Sequence, residues 1–131
     1  MSRVRSRHTR PELFVRSALF HAGFRYRLHH SQLAGKPDIV LRRYKMAVFV
    51  HGCFWHGHHC SKGQKRPLSN VQFWEEKLDR NAQRDEENQA SLENAGWSVR
   101  IVWECTLIDD TNRLLAELAA IQIALGYDRP I

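Results

Sequence analysis

Residues 46–60 read Met46-Ala-Val-Phe-Val50-His51-Gly-Cys53-Phe-Trp-His56-Gly-His58-His-Cys60. The first five residues are a continuous apolar run, which predicts a short buried strand. The residues that follow form a loop dense in thiol and imidazole groups, and we expect it to run from His51 to about Leu68. Thiolate and imidazole are the ligands that Zn²⁺ prefers in tetrahedral sites. The stretch therefore predicts a strand that leads into a metal-binding loop.

Three cysteines and one histidine would complete such a site. Cys53 and Cys60 lie in the loop, and Cys105 follows a later predicted strand. The alternatives are a disulfide with a spare thiol, or three ordinary buried cysteines. The odd number of cysteines and the lack of a secretory signal favour a reducing compartment, and therefore zinc. His58 can be the fourth ligand and would leave His56 available, although another histidine of the loop could take that place.

Helical and strand patterns alternate along the rest of the chain. Their order, α-β-β-β-α-β-α, predicts a mixed sheet with helices packed against it, in one domain over residues 1–131. We expect a first helix capped by Thr9 and ended by Gly23, and strands over 24–30, 38–41, 46–50 and 97–103. A long helix should begin at a Ser69/Gln72 capping box, run through Ala95 and stop at Gly96. A last helix should be capped by Asp109 or Asp110 and end at Gly126.

Asp38 opens a strand directly after a glycine-containing turn. A carboxylate fixed on a rigid element at a sheet edge suits a metal-dependent nuclease, although Pro-Asp alone often marks only a turn. Val50, twelve residues on, should lie beside it on the neighbouring strand. Glu12 can also reach inward, since it shares a helical face with apolar residues, but Arg16 at i+4 could simply pair with it.

Asn81 and Asp85 occupy the core-facing register of the long helix, together with Trp74 and Leu78. A carboxylate in that register must find a partner or a function. An ion pair with one of the arginines is the alternative. A histidine left outside the zinc site, near a carboxylate that binds a metal, is a natural general base at neutral pH.

The aromatic residues of the loop, Phe54 and Trp55, are either core plugs or wedges that insert between base pairs. Trp74 could join them, or pack in the core.

Residues 1–45 contain eleven Lys/Arg and two acidic residues, whereas residues 46–131 contain nine Lys/Arg and twelve acidic residues. Arg3, Arg5, Arg7 and Arg10 form a basic arm, which indicates a nucleic-acid partner rather than a merely soluble surface. With no membrane-length apolar segment, we expect a soluble cytoplasmic protein associated with the nucleoid.

Several of these segments together resemble the very-short-patch-repair (Vsr) DNA mismatch endonucleases, over about residues 1–106. The segments are Gly35-Lys-Pro-Asp38-Ile-Val, Val48-Phe-Val-His-Gly-Cys-Phe-Trp-His56-Gly-His-His-Cys60, Phe73-Trp-Glu-Glu-Lys-Leu78, Asn81 with Arg84-Asp85, and Gly96-Trp-Ser-Val-Arg-Ile-Val-Trp-Glu-Cys105. The resemblance implies a restriction-endonuclease-like core of the PD-(D/E)xK type. It also implies a Mg²⁺-dependent nick in duplex DNA, 5′ of the T of a T·G mismatch left by deamination of 5-methylcytosine.

The resemblance also assigns roles to single residues. Asp38 and the backbone carbonyl of Val50 would bind Mg²⁺. His56 would be the general base or the residue that positions the attacking water, assisted by Asp85 and His51, with Glu12 and Asn81 nearby. The zinc ligands would be Cys53, His58, Cys60 and Cys105. Contacts to DNA would come from Phe54, Trp55, Trp74, Met1, Val4, Arg3, Arg5, Arg7 and Lys36.

Double-stranded DNA with a mismatch would be the partner of a monomeric enzyme, with mismatch-repair proteins as further partners. Positions 50–52 read Val-His-Gly, so the acid and lysine of ordinary restriction enzymes are absent and histidine must take the role of the lysine. Two alternatives stay open. One is a Vsr-like nickase with a different target, such as a defence or structure-specific nuclease. The other is a zinc-stabilised DNA-binding module without catalysis, which would not depend on Asp38 or His56.

Overall fold

A four-stranded sheet, in the order β1-β2-β3-β4, forms the centre of the molecule. The computed structural model describes residues 9–56, 58, 60–64 and 66–126. The strands are β1 (Arg27–Leu28), β2 (Ile39–Leu41), β3 (Met46–His51) and β4 (Ser98–Trp103). The helices are α1 (Arg10–His21), α2 (Ser61–Gln64), α3 (Val71–Asn94) and α4 (Leu107–Ala124), with short 3₁₀ turns at Arg42–Tyr44 and Glu104–Thr106.

The sheet is mixed. β1 and β2 pair antiparallel, β2 and β3 pair antiparallel, and β3 and β4 pair parallel. Parallel strands must be joined by a long crossover connection. Here the connection from β3 to β4 consists of the loop after β3, α2 and α3. His51 pairs with Trp103 at the end of the ladder. The carboxyl ends of β3 and β4 therefore meet, and the metal loop begins next to the segment that contains Cys105.

Helices cover both faces of the sheet. On one face, α1 and α4 pack on β2, β3 and β4 through a cluster that includes Val15, Leu19, Ile39, Leu41, Met46, Val48, Val102, Leu114 and Leu118. On the other face, Leu92 of α3 packs on Ala47 and Val99. Each fully buried leucine stabilises the fold by about 1.5–3 kcal/mol relative to exposure. The sheet is therefore a rigid support for the residues at its edge.

The predicted order of elements is confirmed, with α2 as one addition. Thr9 caps α1, because its side-chain oxygen accepts a hydrogen bond from the N–H of Glu12 at 3.3 Å. Gly96 has φ +93° directly after the last turn of α3, which is the left-handed conformation that ends a helix. In the described part of the chain, no helix combines the length and the apolar character that a membrane crossing requires.

The predicted strand over residues 24–30 is mostly wrong, because only Arg27–Leu28 pairs with β2. Phe24 is buried beneath α1, with its ring 5.7 Å from that of Tyr44. At the other end, His29 adopts φ 49° and turns the chain out of the ladder. Packing of Phe24 and the turn at His29 therefore shorten the strand from both sides.

The predicted capping box at the start of the long helix is also wrong. Asn70 precedes α3 in the left-handed conformation, with φ 58° and no side-chain cap hydrogen bond. The amide of Gln72 donates instead to Glu76 at 3.3 Å, one turn along the helix. A left-handed residue before the helix removes the extended cap geometry that a Ser69 cap would need.

The last helix begins earlier than predicted, at Leu107 rather than at Asp109 or Asp110. Asp110 has a different task, since its Oδ2 accepts hydrogen bonds from the N–H of Trp103 at 2.9 Å and from the hydroxyl of Thr106 at 2.8 Å. Its carboxylate thus joins the end of β4 to the first turn of α4. This bond fixes the turn that contains Cys105.

Candidate functional site

Three sulfur atoms and one imidazole converge beyond the ends of β3 and β4. We call Cys53, His58, Cys60 and Cys105 the sulfur cluster; one ligand atom from each lies within 4.8 Å of the others. The Sγ of Cys105 lies 3.4 Å from Nδ1 of His58. All three cysteines are thiols, so the disulfide alternative is wrong. These four side chains could hold a metal ion, and they are the four that the sequence predicts.

The thiols of the sulfur cluster have very different proton affinities. Burial raises the pKa of Cys53 to about 12. Hydrogen bonds from His58 and from the backbone N–H of Gly63 lower the pKa of Cys60 to about 6. A thiol must lose its proton to bind a metal, and a cation at the centre of the cluster favours that loss at every sulfur. A bound cation would therefore stabilise the thiolate form of the cysteines in this cluster.

The backbone around the sulfur cluster is closely packed. The N–H of Cys53 donates to Oε1 of Glu104 at 3.3 Å, which connects the loop to the turn after β4. The ring of Trp103 stacks on that of His58, with 4.0 Å between ring centroids. A Cβ added to Gly63 would stand 1.9 Å from the carbonyl oxygen of His58, so only glycine fits there.

A second group, which we call the carboxylate cluster, contains Glu12, His29 and Asp38. Nε2 of His29 lies 2.9 Å from Oε2 of Glu12, and Nδ1 of the same ring lies 3.9 Å from Oδ1 of Asp38. Oδ2 of Asp38 accepts a hydrogen bond from the N–H of Val50 at 2.7 Å. The predicted proximity of Asp38 and Val50 across neighbouring strands is therefore confirmed.

The carboxylate cluster places acidic groups in a poorly solvated position. Burial raises the pKa of Asp38 to about 6; the Val50 hydrogen bond opposes this rise, and the nearby charge of Glu12 adds to it. Glu12 is 1% exposed. Arg16 does lie 3.5 Å from Glu12, as the alternative interpretation of that residue expected. The arginine is not its main contact, however, because the imidazole of His29 is closer.

A third group, the imidazole cluster, consists of His51, His56 and Asp85. The two rings are stacked with 3.6 Å between centroids and 3° between planes. Nδ1 of His56 lies 2.5 Å from Oδ2 of Asp85, so the partner of Asp85 is this histidine and not an arginine. A ring that donates through Nδ1 presents the lone pair of Nε2 on its other side. With its proton on Nδ1, His56 would have a free lone pair on Nε2 that can accept a proton.

His51 has a different character from His56. It is 5% exposed, and burial together with the neighbouring His56 lowers its pKa to about 3. It is therefore uncharged at neutral pH. A neutral ring stacked on His56 does not repel the positive charge that His56 gains when it accepts a proton.

Asn81 lies near the aromatic residues of the loop. Its amide donates to the carbonyl oxygen of Trp55 at 3.1 Å, and its Oδ1 accepts a hydrogen bond from Arg84 at 2.6 Å. The contacts of Asn81 thus hold the backbone of the metal loop against α3. The rings of Phe54, Trp55 and Trp74 touch one another, with centroid distances of 5.0, 5.7 and 5.8 Å. They are half-buried, and together they form a small aromatic cluster beside the site.

The basic residues can be placed only in part. Met1, Val4, Arg3, Arg5 and Arg7 lie outside the described residues. Lys36 is exposed and adopts φ 50°, two residues before Asp38, so it extends from the same edge of the sheet.

A family profile described as "DNA mismatch endonuclease Vsr" matches residues 1–62. The chain is 48% identical over 124 residues to the "Type II nicking enzyme V.NmeAIP" of Neisseria meningitidis, with 90% of this chain and 88% of that protein covered. It is 40% identical over 107 residues to "DNA mismatch endonuclease Vsr" of Escherichia coli, with 82% and 68% covered. The chain belongs to the Vsr family.

A third relative is the "Type II nicking enzyme V.XorIIP" of Xanthomonas oryzae, 49% identical over 109 residues, with 83% of this chain and 79% of that protein covered. The predicted resemblance is thus confirmed, and this Vsr-family chain is a nuclease rather than a non-catalytic zinc module.

Two features of this Vsr-family site escaped the sequence reasoning. His29 was treated as part of a strand, although a histidine that ends a strand shortly before Pro37-Asp38 is a signal for the same sheet edge. Trp103 was treated only as the last residue of β4. Its ring contacts both His51 and His58, at 5.1 and 4.0 Å between centroids, and so separates the imidazole cluster from the sulfur cluster.

Proposed function

We propose that this enzyme nicks one strand of duplex DNA on the 5′ side of the T of a T·G mismatch, in a reaction that requires Mg²⁺. The observation that carries the proposal is the proximity of an acid and a base. The carboxylate of Asp38 and the imidazole of His56 are close enough to interact electrostatically, although burial has the larger effect and raises the pKa of Asp38 to about 6. The Escherichia coli relative, named as a mismatch endonuclease, supports the target.

The donor atoms at Asp38 suit a hard divalent cation. Mg²⁺ binds proteins through one or two carboxylates and keeps several water ligands. Because the N–H of Val50 occupies Oδ2 of Asp38, Oδ1 is the oxygen that would face the ion. When bound, Mg²⁺ would supply positive charge to the phosphate in the transition state and make the attacking water more acidic.

The imidazole cluster would carry the proton. His56 would accept it through Nε2, while the carboxylate of Asp85 holds the Nδ1–H and stabilises the imidazolium. His51 would remain neutral and keep the ring of His56 in place through stacking. His56 would next return the proton to the leaving oxygen or to solvent. In this assignment Asn81 and Glu12 position other groups rather than react.

We propose that the sulfur cluster holds a structural Zn²⁺. Three thiolates and one imidazole are a complete tetrahedral ligand set, which leaves no position for a substrate. The ion would tie the loop after β3 to the turn after β4. The sheet order, with Asp38 at the strand edge, also supports the proposal of a restriction-endonuclease-like core.

The aromatic cluster would contact the mismatch. Phe54, Trp55 and Trp74 are half-buried on a loop that is fixed at both ends, and stacking of a base on an aromatic ring contributes about 1–3 kcal/mol. We expect Trp55→Leu to weaken binding to a T·G duplex by about tenfold or more, since a T·G pair unstacks at lower cost. Phe24→Leu, in the core and away from DNA, is the control for general loss of packing. Equal binding by wild type and Trp55→Leu would rule out the wedge.

The direct test is a nicking assay on labelled duplexes that differ in a single pair, T·G against C·G, with Mg²⁺ or with EDTA. A single Mg²⁺-dependent nick 5′ of the mismatched T is the expected product. Equal cutting of both duplexes would contradict the T·G target and would instead favour a nickase with another target. Undiminished cutting in EDTA would contradict the metal requirement.

A further inference from the structure

The ring of His29 lies between two carboxylates. Its Nε2 is 2.9 Å from Oε2 of Glu12, which is a hydrogen-bonding distance. Its Nδ1 faces Oδ1 of Asp38 at 3.9 Å, which is too long for a hydrogen bond. The two contacts of one ring are therefore different in kind: the first is a short ion-pair distance without the geometry of a hydrogen bond, and the second leaves a gap between two ligand atoms.

One tautomer of the ring would supply Glu12 with a donor. Glu12 is 1% exposed, and a carboxylate so deeply buried requires a donor. An imidazole that donates its Nε2–H to Glu12 presents the lone pair of Nδ1 toward Asp38. The facing oxygen is Oδ1, because the N–H of Val50 binds Oδ2. Two lone pairs that face each other across 3.9 Å repel, and a cation between them would turn that repulsion into coordination.

The backbone also fixes His29 in this position. The residue adopts φ 49°, a left-handed conformation that is uncommon outside glycine. Its N–H donates to the carbonyl oxygen of Asp38 at 3.0 Å. A non-glycine residue held in this conformation costs about 1–3 kcal/mol, and such residues are concentrated at functional sites. His29 and Asp38 are thus joined through the backbone as well as through their side chains.

A histidine that binds a metal through one ring nitrogen almost always donates its other N–H to a carboxylate, a backbone carbonyl or a water molecule. Glu12, His29 and Asp38 have this arrangement. We propose that His29 is a nitrogen ligand, through Nδ1, of the divalent ion held by Asp38, and that Glu12 orients its ring. The inference rests on the proposed function, because it adds a ligand to the metal site proposed there. Since imidazole favours transition metals over Mg²⁺, the site prefers Mn²⁺ to Mg²⁺ because of His29.

Metal binding, measured without DNA, tests this ligand. We would titrate the zinc-loaded protein with Mn²⁺, following free Mn²⁺ by electron paramagnetic resonance, and with Mg²⁺ by competition. His29→Asn removes the ring but tolerates the left-handed backbone. It should lose about 10–100-fold in Mn²⁺ affinity and much less in Mg²⁺ affinity. His21→Asn, an exposed histidine of α1, is the matched control and should bind both ions like wild type. An unchanged ratio of the two affinities in His29→Asn would overturn the proposal.

A spectroscopic measurement does not depend on the stability of that variant. Pulsed electron paramagnetic resonance detects nitrogen bound directly to Mn²⁺. The coupling should be present in the wild type and should survive in His56→Asn, which removes the other imidazole near Asp38. Its absence from the wild type, or its loss in His56→Asn, would show that His29 is not the ligand.

Asp38→Asn separates this inference from the proposed function. If this variant binds both ions as tightly as wild type, the proposed metal site itself is wrong. If it binds neither ion, while His29→Asn keeps the wild-type preference for Mn²⁺, the metal site stands and only the nitrogen ligand is rejected.

Discussion

The sulfur cluster and the carboxylate cluster lie at the same end of the sheet, but they are built in opposite ways. Cys53, His58 and Cys60 lie on a loop with few regular backbone hydrogen bonds, and Cys105 lies on a short turn. The carboxylate cluster is supported by a helix and by strands, through Glu12 on α1 and through the bond between Asp38 and Val50. A metal would therefore hold the residues of the sulfur cluster in place. In the carboxylate cluster, by contrast, the helix and the strands already hold the side chains in position to bind a metal.

This difference decides what each region contributes. Loss of the ion from the sulfur cluster should loosen the loop that positions His56, and so reduce both stability and activity. Loss of the negative charge from the carboxylate cluster should abolish activity and yet stabilise the fold, because an acidic group buried beside another is destabilising. The predictions below test that contrast.

The largest expected effect is that of Asp38→Asn on nicking. Without the carboxylate, we expect the rate to fall by about 10³-fold or more, because the charge stabilisation at the phosphate is lost. Binding to DNA should remain. The rate is measured in single-turnover nicking assays with Mg²⁺, and retained nicking would contradict the assigned role of Asp38.

The same variant should be more stable than wild type at neutral pH. Burial raises the pKa of Asp38 from its ordinary value of 3.8 to about 6 in the folded protein. The folded state thus binds the proton more tightly, so the stability that this group contributes below pH 4 is lost as the pH rises through 6. The loss is on the order of 2 kcal/mol, which corresponds to a Tm difference of about 7 °C.

The stability difference is measured as the Tm of Asp38→Asn minus that of wild type, in EDTA, from pH 4 to pH 8. It should be small at pH 4 and should grow in favour of the variant up to about pH 7. A difference that does not change with pH would show that burial does not raise the pKa of this carboxyl.

The second largest effect concerns the sulfur cluster. His58→Asn removes one of its four side chains, and we expect zinc affinity to fall by at least about 10²-fold, with loss of Tm and of nicking together. His30→Asn is the matched control, because this histidine lies in none of the three clusters. Zinc content by mass spectrometry and thermal melts measure the result. Full zinc occupancy in His58→Asn would contradict the ligand set.

A smaller effect is expected for Asp85→Asn, which keeps the shape of the side chain but not its charge. The amide would stabilise neither the required tautomer of His56 nor its charged form, so we expect nicking to fall by about 10²-fold with metal binding unchanged. Asp79→Asn, exposed on the same helix, is the control. If Asp85→Asn and Asp79→Asn nick DNA at the same rate, Asp85 has no role in catalysis and contributes only to the packing of α3.

The smallest effect should come from a pair that belongs to neither region. Arg100 donates two hydrogen bonds to the carboxylate of Glu117. These hydrogen bonds are the main reason why the pKa of Glu117 is lowered. Both side chains are partly exposed, so solvent screening limits the pair to about 1 kcal/mol or less. Glu117→Gln should lower Tm only slightly above about pH 5, by an amount that shrinks as the pH falls through the lowered pKa of Glu117, and should leave nicking unchanged. A large loss would mean that general destabilisation explains the other variants.

The fold was largely predictable from the sequence. Apolar runs at 38–41, 46–50 and 97–103 and one long amphipathic helix determine a mixed sheet, because their patterns are strong and local. The ends of elements were not predictable in the same way. The left-handed conformations of His29 and Asn70 depend on contacts with distant parts of the chain, and the early start of α4 depends on a bond between Asp110 and Trp103.

The site residues, too, were predictable where the sequence pattern is local and not where their role depends on distant contacts. The sulfur cluster could be predicted, since cysteine and histidine at high density have few other uses. The adjacency of Asp38 and Val50 followed from two neighbouring strands. The contact between Asp85 and His56 was only one of two alternatives, because a helical register gives the direction of a side chain but not its partner. His29 was missed because its role arises from a turn that no local pattern encodes.

The position of Cys105 has a consequence for the synthesis of the enzyme. Three side chains of the sulfur cluster leave the ribosome within eight residues of one another, between Cys53 and Cys60, but the fourth follows only after α3 and β4 have been made. A nascent chain that ends before β4 has neither the partner strand of β3 nor the last sulfur. A growing chain therefore cannot complete the sulfur cluster until Cys105 has been made.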